Sequence, residues 1–177
     1  MLVQHSTKVI CWDMEMCCWD DKSRTGEIIS IGLCELNLSN GEISREKHFY
    51  VKPMRDRVSN YCSDLTGITQ KMVDRQGRPL QEVVSSFTKS FGTKKPYVAW
   101  GADAKYLAQQ CYRSGFRSPL ESTIDAGLLY RLKARSGSSI GLSQALLDSG
   151  IEFQGQAHNA LNDAHNLARL ISASSLL

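Results

Sequence analysis

The sequence predicts an α/β fold in which a mixed β-sheet is flanked by helices. Three apolar segments with strand character come first, at residues 9–17, 28–36 and 47–51, and short polar turns join them. A fourth short strand is expected at residues 97–100, within a C-terminal half that otherwise has helical patterns. Strands followed by alternating strands and helices are typical of a mixed sheet covered by helices.

The individual elements follow from local patterns. The connections at residues 19–27 and 39–42 contain Gly26 and Gly41, which favours an antiparallel meander of the first three strands. Helices are expected at residues 59–65, 79–91, 105–113, 124–133, 142–148 and 159–170. No internal repeat, low-complexity tract or Pro-rich linker divides the chain, so we expect residues 1–177 to form one domain.

The composition is that of an ordinary globular protein. Hydrophobic residues make up 42% and charged residues 22% of the chain, and the net charge of +3 is compatible with a polyanionic partner without requiring one. Neither a signal peptide nor a membrane span is recognisable, so we expect a cytoplasmic location. The six cysteines lack a CxxC motif, and we interpret them as reduced thiols, mostly in the core: Cys11, Cys17, Cys18, Cys34, Cys62 and Cys111.

An acidic pair in the first predicted strand gives the strongest indication of chemistry. Asp13 and Glu15 lie in an apolar stretch without Lys or Arg, and the strand period of two places both side chains on one face. Because burial of two unpaired carboxylates is costly, a divalent cation is the usual compensation. The alternative is a chance Asp-x-Glu at a strand end, with both side chains in water.

Two further segments could bring ligands to the same place. Asp103 follows the fourth predicted strand, where ligands of α/β sheets gather, although an aspartate there could instead cap the next helix. His158 and Asp163 can converge if His158 precedes the last helix and Asp163 lies in its first turns, with the Gly155 segment delivering the imidazole. The alternative for His158 is a surface histidine near a helix start, which is what we expect of His165.

The order of these segments resembles that of the DEDDh 3′-to-5′ exonucleases, the DnaQ-like branch of the ribonuclease H-like fold. Asp-x-Glu on a first strand, Asp at a later strand end and His-x4-Asp opening a last helix carry the resemblance, which covers nearly the whole chain. Residues 61–69 and 100–107 are most similar to the Eri-1-type exonucleases and the bacterial KapD-like proteins. The resemblance implies a mixed five-stranded sheet flanked by helices.

The resemblance also implies a metal-dependent hydrolase. Two Mg²⁺ ions, for which Mn²⁺ can substitute, would clamp one phosphodiester, held by Asp13, Glu15, Asp103 and Asp163. His158, with a reference pKa of about 6.5, would complete the catalytic set by accepting a proton from the attacking water. The expected activity is 3′-to-5′ hydrolysis of single-stranded RNA or RNA 3′ ends to nucleoside 5′-monophosphates.

Substrate contacts are implied by the same resemblance. Positions that pack around the last base and sugar in relatives are Met14, Met16, Leu65, Thr66 and Ile68, with core packing as the alternative, above all for Met14. Relatives often carry a hydroxyl residue just after the glutamate, where this chain has Met16 and Cys17. Basic residues that could line a path for phosphates are Arg55, Arg57, Lys71, Arg75, Arg78, Lys105, Arg131, Lys133 and Arg135.

Two other functions stay open at this point. The same chemistry could act on single-stranded DNA or short oligonucleotides. No residue in the sequence indicates a contact to the 2′-hydroxyl that would distinguish RNA from DNA. A nucleic-acid-binding module without hydrolysis is the third hypothesis, against which the complete set of four carboxylates and a histidine argues. No exposed apolar stripe predicts an oligomeric state or a protein partner.

Overall fold

Five strands form one mixed sheet in the computed structural model, which describes residues 7–21 and 24–174. The strands are β1 (Lys8–Met16), β2 (Ile28–Asn37), β3 (Ile43–Tyr50), β4 (Tyr97–Ala99) and β5 (Thr123–Asp125), and their order in the sheet is β3-β2-β1-β4-β5. The first three strands pair antiparallel, and β4 pairs parallel with both β1 and β5. The expected meander and the mixed five-stranded sheet are therefore confirmed.

Seven helices accompany the sheet in the described part of the chain. They are α1 (Asn60–Thr66), α2 (Gln70–Gln76), α3 (Leu80–Phe91), α4 (Asp103–Arg113), α5 (Ala126–Lys133), α6 (Leu142–Asp148) and α7 (Ala160–Ala173). Their ends follow local chemistry: the Ser59 hydroxyl caps α1 by accepting a hydrogen bond from the Cys62 amide, and Gly67, with φ of 73°, ends it. The six predicted helices are present, and α2 is an addition.

One boundary in the sequence-based assignment was wrong. Ile124 and Asp125 were expected to begin a helix, but they belong to the short edge strand β5. Helix α5 starts only after them, because the Asp125 carboxylate accepts a hydrogen bond from the Leu128 amide and so acts as the N-cap. The strand places Asp125 beside the carboxyl end of β4.

Alternating residues of β1 face two different helix layers. Ile10 and Trp12 pack in one core cluster together with Phe87 of α3 and Leu107 of α4. Val9 and Cys11, on the opposite face, pack in a second cluster that includes Ala126 of α5 and Leu167 and Ile171 of α7. The sheet is thus sandwiched between α3 and α4 on one side and α5 and α7 on the other.

An irregularity at the start of β2 shapes the end of the sheet that carries the acidic pair. Glu15 pairs with Ser30 whereas Met16 pairs with Ile28, so Ile29 is an extra residue and points into a small cluster with Cys62, Ile68 and Val73. The buried Gln110 of α4 fixes this region, because its side chain accepts from the Ile28 amide at 2.8 Å and donates to the Gly26 carbonyl at 2.9 Å. The bulge thereby places α1 next to the carboxyl end of β1.

The six cysteines are free thiols, as predicted, and all are buried except Cys18, which is partly exposed. Within the described ranges, none of the helices combines the length and the apolar character needed to cross a bilayer.

Candidate active site

Asp13 and Glu15 lie on the same face of β1, near its carboxyl end. Their neighbours Trp12 and Met14 fill the core cluster on the opposite face, which leaves the two carboxylates on the α7 side of the sheet. Both acids are half-buried, so the alternative of two side chains in open water does not describe them.

Asp163 joins this pair from the first turn of α7. The helix begins after Asn159, whose side chain accepts a hydrogen bond from the Asn162 amide. One carboxylate oxygen from each of Asp13, Glu15 and Asp163 lies within 4.8 Å of the other two. The expected convergence of the first strand and the last helix is therefore present.

A glycine in β2 permits this approach of α7 to the sheet. Gly32 pairs with Asp13 across the β1–β2 ladder, and a Cβ atom on it would lie 2.2 Å from the carbonyl carbon of Ala160. Real Cβ atoms do not approach backbone atoms so closely, so only glycine fits where β2 meets the start of α7. Gly32 was not predicted as a site residue, although a glycine inside an apolar strand is a recognised signal of close backbone approach.

Asp103 approaches the same acids from the other side of β1. It is the first residue of α4, just beyond β4, and the N-cap is Ala102, so Asp103 is not the cap that we considered as its alternative role. Its negative charge contributes to raising the pKa of both Asp13 and Glu15. Asp125, at the end of β5, in turn raises the pKa of Asp103. Asp125 is a second residue near the site that the sequence analysis missed.

The electrostatics of the cluster favour bound positive charge. Burial is the largest cause that raises all four pKa values: well above the ordinary range for Asp13, to about 8 for Glu15, and to about 6 for both Asp103 and Asp163. Mutual repulsion adds to the rise for Asp13 and Glu15, whereas backbone hydrogen bonds partly offset it for Asp103 and Asp163. Among the described residues, no cationic side chain forms an ion pair with these four acids, of which Asp13, Glu15 and Asp163 lie closest together. Carboxylate oxygens are the donors that hard divalent cations prefer.

One atom of the cluster has an unused bonding capacity. Oδ2 of Asp163 is buried and has no hydrogen-bond partner among the described residues. A buried carboxylate oxygen without a hydrogen-bond donor is unfavourable by roughly 1–3 kcal/mol or more, unless a bound ligand contacts it. The oxygen donors and the orphaned Oδ2 together fit a metal ion.

His158 precedes α7, as predicted, and its side chain is exposed. Its backbone has a φ of 61°, an uncommon value for a residue other than glycine, and its amide stabilises the ionised Asp163. His158 is therefore anchored to the acidic cluster through its backbone while its imidazole is free to meet a substrate. His165, by contrast, lies on the surface of α7 with Nε2 3.4 Å from Oε1 of Glu46.

The segment before His158 meets the turn that follows α1. A Cβ on Gly67 would lie 3.6 Å from the side-chain nitrogen of Gln156, so the two segments are in contact. Gly155, with φ of 81°, is packed against Asn162, whose side-chain amide donates to the Gln156 carbonyl at 3.1 Å. The turn with the candidate substrate contacts and the loop with His158 thus lie side by side.

The candidate substrate contacts differ in burial. Met14 is 6% exposed and belongs to the core cluster on the sheet face away from Asp13 and Glu15. Thr66 and Ile68 are also buried. The Thr66 hydroxyl donates a hydrogen bond to the Cys62 carbonyl and accepts one from the Ile68 amide. These three side chains are therefore packed in the interior of the protein, which was the alternative to a substrate contact. Met16 and Leu65 are partly exposed.

Comparisons with known proteins identify the family of this chain. A family model described as exonuclease, RNase_T, matches residues 10–171. ERI1 exoribonuclease 2 of Xenopus laevis is 36% identical over 93% of the chain, which spans 28% of that protein, and the Drosophila melanogaster 3′-5′ exonuclease Snipper is 31% identical over 97% of the chain, which spans 70% of it. Among solved structures, the nuclease domain of 3′hExo, a DEDDh family member bound to rAMP, superposes with a TM-score of 0.84 at 27% identity, covering 96% of this chain and 92% of that one. The predicted ribonuclease H-like fold and the resemblance to Eri-1-type exonucleases are confirmed.

Proposed function

Because the chain belongs to the RNase_T exonuclease family and carries a DEDDh-type acidic cluster, we propose that it is a metal-dependent 3′-to-5′ exonuclease. Its substrate in this proposal is single-stranded RNA or an RNA 3′ end, and its product is a nucleoside 5′-monophosphate. The observation that carries the proposal is the meeting of Asp13, Glu15 and Asp163 within 4.8 Å, with an orphaned oxygen on Asp163.

The proposed cofactor is a pair of Mg²⁺ ions, with Mn²⁺ able to replace them. Asp13, Glu15, Asp103 and Asp163 would hold the ions, which supply charge to stabilise the attacking and leaving oxygens of the phosphodiester. Oxygen-only ligands support Mg²⁺ or Mn²⁺ over softer metals. The raised pKa values of these acids have a direct consequence: the four carboxylates must lose their protons to bind cations, so cation binding strengthens as the pH rises.

His158 is the proposed general base. Its side chain is exposed, its backbone amide forms a hydrogen bond with Asp163 of the acidic cluster, and histidine is the side chain that most often accepts a proton from an attacking water. The left-handed backbone conformation of His158 sets the direction of its side chain. A strained backbone at this residue supports a functional role of the imidazole.

The 3′-terminal nucleotide is proposed to lie against Met16 and Leu65. Leu65 is partly exposed in the last turn of α1. Met16 packs against the same core cluster as Met14, but it is the last residue of β1 and stays partly exposed, and an unstacked base can pack on such surfaces. The sulfur of Met16 is held by the Gln110 side-chain amide at 3.7 Å, which limits its motion.

RNA is the favoured substrate because the names and the bound ligand of similar proteins refer to RNA. ERI1 exoribonuclease 2 is named for activity on RNA, and the nuclease domain of 3′hExo was solved with the ribonucleotide rAMP. Snipper is named only as a 3′-5′ exonuclease, which keeps single-stranded DNA and short oligonucleotides as the second candidate. A cytoplasmic location is part of the same proposal and is supported by six free thiols, the state that a reducing compartment maintains.

The test uses 5′-labelled RNA and DNA of one sequence, about 20 nucleotides long, with Mg²⁺ and then with EDTA. The proposal expects a ladder of products shortened from the 3′ end, faster on RNA, that disappears in EDTA. No shortening of either strand would contradict exonuclease activity, and equal rates on both would contradict a preference for RNA.

A further inference from the structure

The outer face of α4 forms one wall of an open groove. Lys105, Ala108 and Tyr112 are spaced at i, i+3 and i+7, so they share one side of the helix. The other wall is the segment that leads to the edge strand β5, with Arg117 and Thr123. The groove has a volume of about 580 Å³, and the small side chain of Ala108 leaves its middle open.

An aromatic side chain stands unprotected in this groove. Tyr112 is 80% exposed, the largest exposed fraction among the large hydrophobic residues that the structure describes. An exposed tyrosine ring does not stabilise the fold by burial. It provides a flat surface on which a nucleic acid base of any type can stack.

The groove also carries positive charge that nothing nearby neutralises. Neither Lys105 nor Arg117 takes part in an ion pair with any residue of the described ranges, and no carboxylate lines the groove. Of the acids that flank the lining residues in sequence, Glu121 accepts a 2.9 Å hydrogen bond from the Thr93 hydroxyl, and Asp103 belongs to the acidic cluster. Such a combination of free cations and an exposed ring fits a polyanion that has bases.

The position of the groove relates it to the acidic cluster. Asp103 is the first residue of α4, and Ala104 and Lys105 at the near end of the groove follow it directly. The 11 residues of α4 span roughly 16 Å at about 1.5 Å per residue. That length corresponds to about five stacked nucleotides at about 3.4 Å each.

We propose that this groove between α4 and β5 binds the single strand a few nucleotides upstream of the 3′ end that enters the acidic cluster. Lys105 and Arg117 contact backbone phosphates, and a base stacks on Tyr112. The inference rests on the proposed nuclease function, since it extends the same substrate beyond the site of cleavage. It predicts that affinity depends on substrate length.

The test measures binding to fluorescently labelled RNA by anisotropy in EDTA, which prevents cleavage. A trinucleotide that reaches only the acidic cluster is compared with a strand of about 12 nucleotides that also fills the groove. The variants are Tyr112→Ala and the double variant Lys105→Gln, Arg117→Gln. Lys94→Gln is the matched control, because Lys94 is an exposed cation at the opposite end of β4. Unchanged melting temperatures establish that the variants fold.

The wild type is expected to bind the longer strand more tightly than the trinucleotide. Tyr112→Ala should weaken binding of the longer strand about tenfold, and the double variant should reduce its salt dependence by about 1.4 in the slope of log K against log salt, with the trinucleotide and Lys94→Gln unaffected. Equal affinity of all variants for the longer strand, equal weakening on both lengths, or no binding of the longer strand by the wild type would overturn the inference. Cleavage of the longer strand by the wild type in Mg²⁺ tests the nuclease proposal separately.

Discussion

Gly32 of β2 touches the backbone of Ala160 at the start of α7, directly beside Asp13. A Cβ at Gly32 would lie 2.2 Å from the Ala160 carbonyl carbon, closer than any side chain can come. The contact sets how far Asp163 lies from the acidic pair on β1, because Asp163 is in the first turn of the same helix. The strand and the helix that build the candidate site therefore meet at a glycine.

The substitution Gly32→Ala tests this contact. The added methyl group must push α7 away from the sheet, which we expect to destabilise the fold by about 1–3 kcal/mol and to lower activity roughly 10²-fold by displacing Asp163. Urea unfolding and initial rates measure the two effects. Gly137→Ala is the control, because a Cβ there meets nothing within 4 Å. Wild-type stability and rate for Gly32→Ala would contradict a role of the glycine in placing α7.

Removing one charge from the acidic cluster should separate activity from stability. Asp13→Asn keeps the shape of the side chain but removes the cost of burying the carboxylate and its repulsion by Asp103, Glu15 and Asp163, so the metal-free protein should gain about 1 kcal/mol or more while turnover is lost. Thermal unfolding in EDTA and a nuclease assay in Mg²⁺ provide the readouts. Asp74→Asn is the matched control, since Asp74 is exposed and only accepts a bond from the Gln70 amide group. A destabilised Asp13→Asn variant would contradict a net cost of the Asp13 carboxylate in the metal-free fold.

His158→Ala should lower the rate by roughly 10²–10⁴-fold if the imidazole accepts the proton of the attacking water. Added imidazole should restore part of the rate, because a free base can occupy the space of the lost side chain. His165→Ala is the control, since that residue is paired with Glu46 on the surface. A full rate without His158, or equal losses in both variants, would exclude the general-base role.

The stability of the metal-free protein should fall as the pH rises from about 4 to about 8. Glu15 has a pKa of about 8 in the fold against an ordinary value of 4.5, so between these values the folded protein keeps a proton that the unfolded chain has released. Asp103 and Asp163 act in the same direction up to pH of about 6. Melting temperatures in EDTA across this range measure the trend.

Two comparisons sharpen the pH experiment. Mg²⁺ should raise the melting temperature more at pH 8 than at pH 5, because the cation competes with protons for the same oxygens. Glu15→Gln should flatten the pH dependence, since it removes the carboxyl group whose pKa is raised to about 8. A stability that increases between pH 5 and 8 in EDTA would contradict the account of the cluster.

Local periodicity was sufficient to predict the long elements and the acidic pair. Alternation along β1 placed Asp13 and Glu15 on one face, and the structure has them there. The strand β5 was not predicted because three residues are too few to show the alternation of a strand. In addition, the N-cap Asp125 leads directly into helix α5. Helix α2 buries only Val73, so it has almost no apolar stripe.

Local sequence patterns could not predict the parts of the site that depend on tertiary packing. Gly32 and Ala160 are far apart in the chain, so a glycine inside a strand indicates a close approach but does not indicate which segment approaches. The proximity of Asp125 to Asp103 likewise requires the order of β4 and β5 in the sheet. For Met14, strand alternation already implied a side chain opposite the carboxylates, and its burial in the core follows from that geometry.

The most direct measurement of the central claim uses RNA that carries its label in the 3′-terminal nucleotide. With Mg²⁺, the first labelled product should be a nucleoside 5′-monophosphate, and neither EDTA-treated protein nor Asp13→Asn should release it. Label that stays in the oligonucleotide while the RNA is cut elsewhere, or release by Asp13→Asn at the wild-type rate, would contradict a 3′-to-5′ exonuclease built on this acidic cluster.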